Sequence, residues 1–309
     1  MNFLSMEYFV VLAQERNFTR AAERLHMTQQ SLSSHIAGIE KELGCQLLVR
    51  HIPLELTYAG EVLLRYAKDF QRSHEEMCRE FGDIAQNQTG VLRIGAAATR
   101  GQILLPETIA VFQKDYPNIR IDLTEASNDI LHQELLKGTI DLAIADFPKV
   151  MTGIVLQDFY REEIVLVMEA NLFAAAFGAE SESCKKRFLA GDFSALRACP
   201  LVLGDMDDVD GRIALELLDR FDVERPRIAA RSHNVGTLLK LCVRGVGGCF
   251  CPKNIVHAML TKKQIASLFL FPLGTKAHYQ IRFGYKESSY QWSAIRKFVE
   301  CAKGASMAP

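Results

Sequence analysis

Residues 29–35 read Gln-Gln-Ser-Leu-Ser-Ser-His. They place Gln29, Gln30, Ser31, Ser33, Ser34 and His35 within about two helical turns. Amides, hydroxyls and an imidazole at that density can exchange hydrogen bonds with base edges in a DNA major groove. The same polar face can also meet only water, as in an ordinary helical hairpin. Arg20, Arg50 and His51 lie nearby in sequence. Together with backbone N–H groups at helix starts, they are candidates for holding phosphates.

Two short helices must present these groups. Thr19 is placed to cap a first helix with Ala21, Ala22 and Leu25 inside. Met27 and Thr28 make the break. Thr28 then caps a second helix, whose Leu32, Ile36, Ile39 and Leu43 recur at three- and four-residue spacing. From Leu43 to Gly60 the pattern reads as a helix end, a two-stranded wing and the start of a new helix.

Here the chain resembles the LysR-type transcriptional regulators. Met6-Glu-Tyr-Phe-Val10, Asn17-Phe-Thr-Arg-Ala-Ala22, Leu32-Ser33, Glu40-Lys-Glu-Leu-Gly44 and Leu56-Thr-Tyr-Ala-Gly60 fall in that family's order and spacing. The likeness continues weakly to about residue 300. One departure is Gln30, where the family usually carries Pro; it adds a base reader and removes a rigid first-turn residue. The resemblance implies a winged helix-turn-helix DNA-binding domain over residues 1–58. A dimerising linker helix and hinge follow over 59–88, and an effector-binding domain over 89–309. The candidate DNA-binding set is Thr19, Arg20, Thr28, Gln29, Gln30, Ser31, Ser33, Ser34, His35 and Arg50. The expected fold class is α/β, with an all-α-type N-terminal domain and two Rossmann-like effector subdomains similar to type 2 periplasmic binding proteins. Subdomain I is expected over 91–163 plus 268–303, and subdomain II over 164–267.

The 309 residues, 49% hydrophobic and 24% charged, suffice for two or three domains. No run approaches the roughly 18 apolar residues of a membrane helix. The N-terminus lacks an export signal pattern, so a cytoplasmic protein is expected. Net charge is −1. The first 58 residues are not basic either: Arg16, Arg20, Arg24, Lys41 and Arg50 face Glu7, Glu15, Glu23, Glu40, Glu42 and Glu55. Phosphate contact must then depend on where the cations sit, and a dimer would double a modest electrostatic footprint. The eight cysteines include no C-x-x-C pair. Cys242, Cys249 and Cys251 cluster in sequence, which a metal or redox sensor would also do, but they read as small buried apolar residues. No metal and no cofactor are expected.

Thr57 to about Gln86 reads as one long helix. Leu63, Tyr66, Phe70, Met77 and Ile84 lie along it in a narrow apolar stripe, interrupted by Ser73 and Glu80. Such a seam is covered by a second copy or by the chain's own effector domain; the charged residues flanking it favour the second copy. A two-fold protein would read an inverted repeat in a promoter. The expected partners are thus double-stranded DNA, a small-molecule effector and the protein itself, as dimer or tetramer, with RNA polymerase a further candidate and no membrane.

Asn87-Gln-Thr-Gly90 marks a linker, after which short apolar strands alternate with helices. Strands are read at 91–95, 119–123, 142–145, 164–167, 201–203 and 248–250, with helices at 102–116, 129–137, 211–221 and 234–244. This is an α/β pattern with mainly parallel sheet. In such sheets ligands collect where strands end and helices begin. That rule selects Thr99, Arg100, Ser127, Asn128, Asp146, Phe147, Gly204 and Asn234 as candidate effector contacts, with Arg100 holding an anionic group. Thr99, Ser127 and Asn234 could equally be helix caps, and Arg100 could point to solvent. Asp205, Asp207, Asp208 and Asp210 form an acidic run. It fails the calcium-loop pattern because Val209 and Asp210 stand where Asp or Asn and then Gly are required. It reads as a solvated loop, which a basic group on the effector could still meet.

Two rival classes remain open. An enzyme would need catalytic motifs, and no H-E-x-x-H, G-x-S-x-G or phosphate loop is found. Glu162 and Glu163 adjoin in a strand and should diverge to opposite faces. A ligand-binding module without DNA contact leaves the first 86 residues unexplained. The expected function is a DNA-binding regulator whose promoter activity is modulated by a small anionic or polar effector.

Overall fold

A computed structural model describes residues 2–49, 54–85, 88–223, 225–274, 277–288 and 290–306. The chain divides into two compact units, Met1–Asn87 and Gln88–Pro309.

In the first unit, α1 (Phe3–Glu15), α2 (Phe18–Arg24) and α3 (Gln29–Leu43) precede a short antiparallel wing, β1 (Leu48–Val49) with β2 (Glu55–Leu56), and the long α4 (Tyr58–Ile84). Asn17, not Thr19, caps α2: its side chain accepts the Arg20 N–H. Helix α2 thus begins one residue before Thr19, and the Thr19 hydroxyl donates instead to Gln29 Oε1 at 3.1 Å. Thr28 caps α3 by accepting the Ser31 N–H at 3.1 Å, and Gly44 at φ 67° closes its other end. Phe9, Leu12, Ala21, Ala22, Leu32, Ile36, Ile39, Leu47 and Leu63 share one core. Leu25 packs at its edge, while Leu43, the last residue of α3, is exposed. Thr57 joins wing to α4, accepting the Gly60 N–H and donating to the Gln46 carbonyl. Gly60 is obligatory there: a Cβ would lie 2.1 Å from the Leu47 carbonyl oxygen. Arg50 and His51, expected on the wing, lie outside the described residues, as does Gln86 at the expected end of the long helix.

The second unit contains β3 (Gly90–Ala96), α5 (Ala98–Asp115), β4 (Ile119–Glu125), α6 (Asn128–Lys137), β5 (Leu142–Asp146) and β6 (Ile154–Glu169). There follow α7 (Ala170–Phe177), α8 (Ser181–Leu189), β7 (Pro200–Leu203), α9 (Val209–Arg220), β8 (Arg227–Arg231), α10 (Val235–Val243) and β9 (Cys249–Pro252). The chain closes with α11 (Lys253–Met259), α12 (Lys262–Ala266), β10 (Leu268–Pro272), β11 (His278–Lys286) and α13 (Ser293–Ser306).

The main sheet runs β10-β6-β11-β5-β3-β4, with β9 also paired to β6; β7 and β8 pair separately. It is mixed rather than mainly parallel. β3 is parallel to β4 and β5, but β6 and β11 run antiparallel to their neighbours because both cross between the halves of the unit. The first part of β6, through Glu163, pairs with β11, and its last part, from Ile164, lies between β9 and β10. Leu268–Pro272 therefore belongs with the second half, where Phe271 packs on Phe173 and Phe188. The chain returns to the first half at β11, ten residues after the expected 268. The halves have separate cores, one around Leu92, Ile94, Phe112, Phe283 and Phe298, the other around Leu166, Phe173, Phe188, Leu201 and Phe250.

Candidate functional site

Strand ends of both halves open on one cleft of about 260 Å³. Ala97 to Arg100 reach it from the β3–α5 junction and Glu125 to Asn128 from β4–α6. From the other half come Asp208 to Asp210 before and within α9, His233 to Val235 leading into α10, and Pro252 and Ile255 from β9–α11; Tyr279 arrives on β11. The N-termini of α5, α6, α9 and α10 thus converge, each with a partial positive charge.

Helix α5 starts at Ala98, earlier than the expected 102, and carries Pro106 in its interior. Burial of Leu105, Thr108 and Phe112 outweighs the one backbone hydrogen bond that proline removes. Thr99 and Arg100 consequently sit in its first turn and point inward. Thr99 donates to Asn234 Oδ1 at 3.2 Å and accepts the Gly236 N–H at 3.2 Å, bridging the two halves. Asn234 Oδ1 also accepts the Thr237 N–H, so it caps α10 and meets Thr99 with the same oxygen. Ser127 precedes α6 with no side-chain cap bond, while Asn128 Oδ1 accepts the Asp146 N–H.

Arg100 is 8% exposed and pairs with Glu162, 1% exposed, at 3.2 Å. Glu162 also accepts from Tyr160 at 3.0 Å, from Asn254 at 3.3 Å and from Tyr279. Burial works against its charge, but Arg100 and the Tyr279 and Asn254 hydrogen bonds together hold the carboxyl below its ordinary range. Burial raises the phenols of Tyr160 and Tyr279, so both stay protonated donors. Arg100 Nε and Nη1 are buried and meet no acceptor among the described residues. Such donors are costly to bury without a partner.

On the opposite wall, burial first and the neighbouring Asp208 second push Asp210 up to about 7. Burial also raises Asp208, against its contact with His233. His233 lies 3.0 Å from Asp205 and 3.3 Å from Asp208.

Of the residues selected from sequence, Thr99, Arg100, Ser127, Asn128 and Asn234 surround this cleft. Asp146, Phe147 and Gly204 do not line it. The Phe147 ring fills the space left by Gly284, where a Cβ would come within 2.4 Å of it, and stacks on His132 at 4.6 Å. Asp146 binds Asn128 through its N–H and lies 3.7 Å from Arg212. Gly204 makes room for the Asp210 carboxylate, 2.7 Å from where its Cβ would be. The acidic run is not simply a solvated loop, since Asp208 and Asp210 line the cleft and only Asp207 is fully exposed. From sequence, Glu162 is read only as diverging from Glu163, and Tyr279 is not among the candidate contacts. The alternation that separates Glu162 from Glu163 puts Glu162 on the inner face beside Tyr160, and Glu163 outward toward Lys253 at 3.8 Å.

On α3, Gln29, Gln30, Ser34 and His35 are exposed, with Ser31 and Ser33 half-buried. Gln29 is turned toward Thr19 of α2, and His35 lies edge-on to Tyr8 of α1 at 5.0 Å. Gln30 and Ser34, one turn apart, share the face opposite buried Leu32, Ile36 and Ile39. Arg20 is exposed and 3.0 Å from Glu15, which Arg24 shares.

Residues 3–61 match the bacterial regulatory helix-turn-helix protein model of the lysR family, and residues 85–306 match the LysR substrate binding domain. An uncharacterized HTH-type transcriptional regulator, YcgK of Bacillus subtilis, is 32% identical over 264 residues, 82% of this chain and 81% of that one. A probable RuBisCO transcriptional regulator of Cyanidium caldarium is 34% identical over 182 residues, 57% of each chain. The match thus spans little more than half the length of that relative and similar ones. In fold, the chain is similar to full-length OxyR C199D from Pseudomonas aeruginosa, with a TM-score of 0.67 at 21% identity, covering 100% of this chain and 96% of that one. It is also similar to CbnR crystallised with its target DNA, at a TM-score of 0.63 and 24% identity, covering 99% of this chain and 100% of that one. With both units matched in order and nearly end to end, the chain belongs to the LysR family of bacterial regulatory helix-turn-helix proteins.

Proposed function

We propose that this LysR-type regulator binds an inverted-repeat promoter site as a dimer, and that a small polar effector in the cleft modulates it. The observation that carries the effector reading is Arg100, held in the cleft by Glu162 with Nε and Nη1 unmet by any acceptor among the described residues. A ligand spanning the halves would meet Thr99 on one side and Asn234 on the other. It acts by binding one arrangement of the halves more tightly than another. Helix α3 reads base edges with Gln30 and Ser34 foremost, flanked by Gln29, Ser31, Ser33 and His35. Thr19, Arg20, Thr28 and Arg50 hold phosphates. The α4 stripe supports dimerisation: Tyr66, Phe70, Met77, Phe81 and Ile84 are all exposed in the single chain. Contact with RNA polymerase, as a dimer or tetramer in the cytoplasm, fits the same reading.

Fluorescence anisotropy of the full-length protein on its own genomic fragments tests this. Affinity should fall steeply with salt, with a log–log slope of about −0.9 per phosphate neutralised. A metabolite extract should shift wild-type binding and leave Arg100→Ala unmoved. An equal response from both proteins would contradict the effector site.

A further inference from the structure

The cleft holds more acid than base. Arg100 is its guanidinium, and Glu162 behind it already balances that charge. Glu125, Asp208 and Asp210 also line it, against the imidazole of His233. A simple anion would therefore be drawn by Arg100 and the helix N-termini and repelled by the facing acids. A simple cation would leave Arg100 Nε and Nη1 without acceptors.

We infer that the effector is a zwitterion of the α-amino acid type, its carboxylate on Arg100 and Thr99 and its ammonium on Asp210 and Asp208. This rests on the effector reading given above and names the ligand's class. Thr99 and Arg100 line the same small cleft as Asp208 and Asp210. Opposite charges on facing walls of so small a space suit a molecule that carries both on one carbon. The half that carries Arg100 offers the N–H groups of α5 and α6. The half that carries Asp208 and Asp210 offers carboxylates, so one ligand would bind both walls and draw them together.

Ligand affinity should depend on pH. Asp210 is pushed up to about 7 by burial and by Asp208; it also faces Glu162 on β6, Tyr279 on β11, and Cys249 and Cys251 on β9. An ammonium favours the ionised carboxylate, so binding releases a proton, and affinity rises as pH increases from 6 to 8.

The test is isothermal titration of the full-length protein with the twenty common amino acids, followed by matched pairs built on each binder. One pair member is the des-amino carboxylate and the other the decarboxylated amine. We expect at least one amino acid to bind, both analogues to bind at least tenfold more weakly, and Asp210→Asn to weaken the amino acid but not the carboxylate. The cleft must still be competent in that variant, which the retained carboxylate binding reports. A des-amino carboxylate that binds as tightly as its amino acid, in an Arg100-dependent way, overturns the zwitterion and leaves the effector site standing. An amine that binds equally well overturns it from the other side. If none of these compounds binds, the amino-acid class is overturned. The metabolite-extract experiment on Arg100→Ala then decides separately whether the cleft takes any effector.

Discussion

Glu162 is surrounded by donors: Arg100, Tyr160, Asn254 and Tyr279 all bond to it. Removing it leaves the Arg100 guanidinium buried without a counter-charge. Breaking one member of a buried pair costs roughly 3–5 kcal/mol. Glu162→Ala should lose stability on that scale in urea titrations; a change within experimental error of wild type would contradict a paired, buried charge. Asp210 behaves oppositely to a stabilised carboxylate. Its native value, about 7, lies above the ordinary 3.8. The stability gained by keeping its proton is complete below the unfolded value and is lost as pH rises through the native one. Asp210→Asn should therefore gain melting temperature relative to wild type between pH 5 and 8, and a pH-independent difference would contradict the shift. Both residues were visible in the sequence, but their importance was not. A glutamate beside a second glutamate in a strand declares only that one faces inward. Which tyrosine and asparagine face it depends on β11 and α11, more than ninety residues away. Likewise Asp210 looks solvated until Gly204 and the cleft wall are folded beneath it.

At the scale of elements, helix caps and apolar spacing made α3 and its neighbours legible. Thr28 caps as expected, and Thr28→Ala should destabilise the first unit by about 1 kcal/mol in thermal melts. Gly60 belongs to this scale as well. A side chain there collides with the Leu47 carbonyl, so Gly60→Ala should cost about 1–3 kcal/mol or more, as overpacking does. A neutral result would mean α4 can leave the wing without loss. Less legible were β8 and the first part of β6. Arg227–Arg231 is mostly exposed and shows no alternation of burial. The early half of β6 is amphipathic, with Gln157, Asp158 and Arg161 interrupting it, so only its apolar end at Ile164–Val167 stood out. Cys242, Cys249 and Cys251 follow their apolar context and are buried; Cys199 is buried as well, and so is Cys184 despite its polar sequence neighbours. Cys45 and Cys78 are exposed, because they sit in a helix-to-wing turn and on the polar surface of α4.

At the scale of the whole molecule, the sequence pattern separated the helical first unit from the α/β second unit. It did not carry the crossings between halves, because strand order depends on contacts between distant residues. That is why the sheet proved mixed and why Leu268–Pro272 joined the second half. The exposed stripe on α4 makes its own prediction. Phe70 is 44% exposed in the single chain, next to the still more exposed Phe3. Phe70→Glu should shift the protein toward monomer in sedimentation velocity and weaken DNA binding by tenfold or more, while the isolated fold still melts cooperatively. An unchanged oligomer would place the self-interface elsewhere. The most direct test of the central claim is to capture sheared genomic DNA with the purified full-length protein and sequence it, beside a Gln30→Ala, Ser34→Ala variant. A few sharply enriched sites with a two-fold repeat, lost in the variant, are expected. Uniform enrichment, or sites retained by the variant, would contradict reading of sequence by that face of α3.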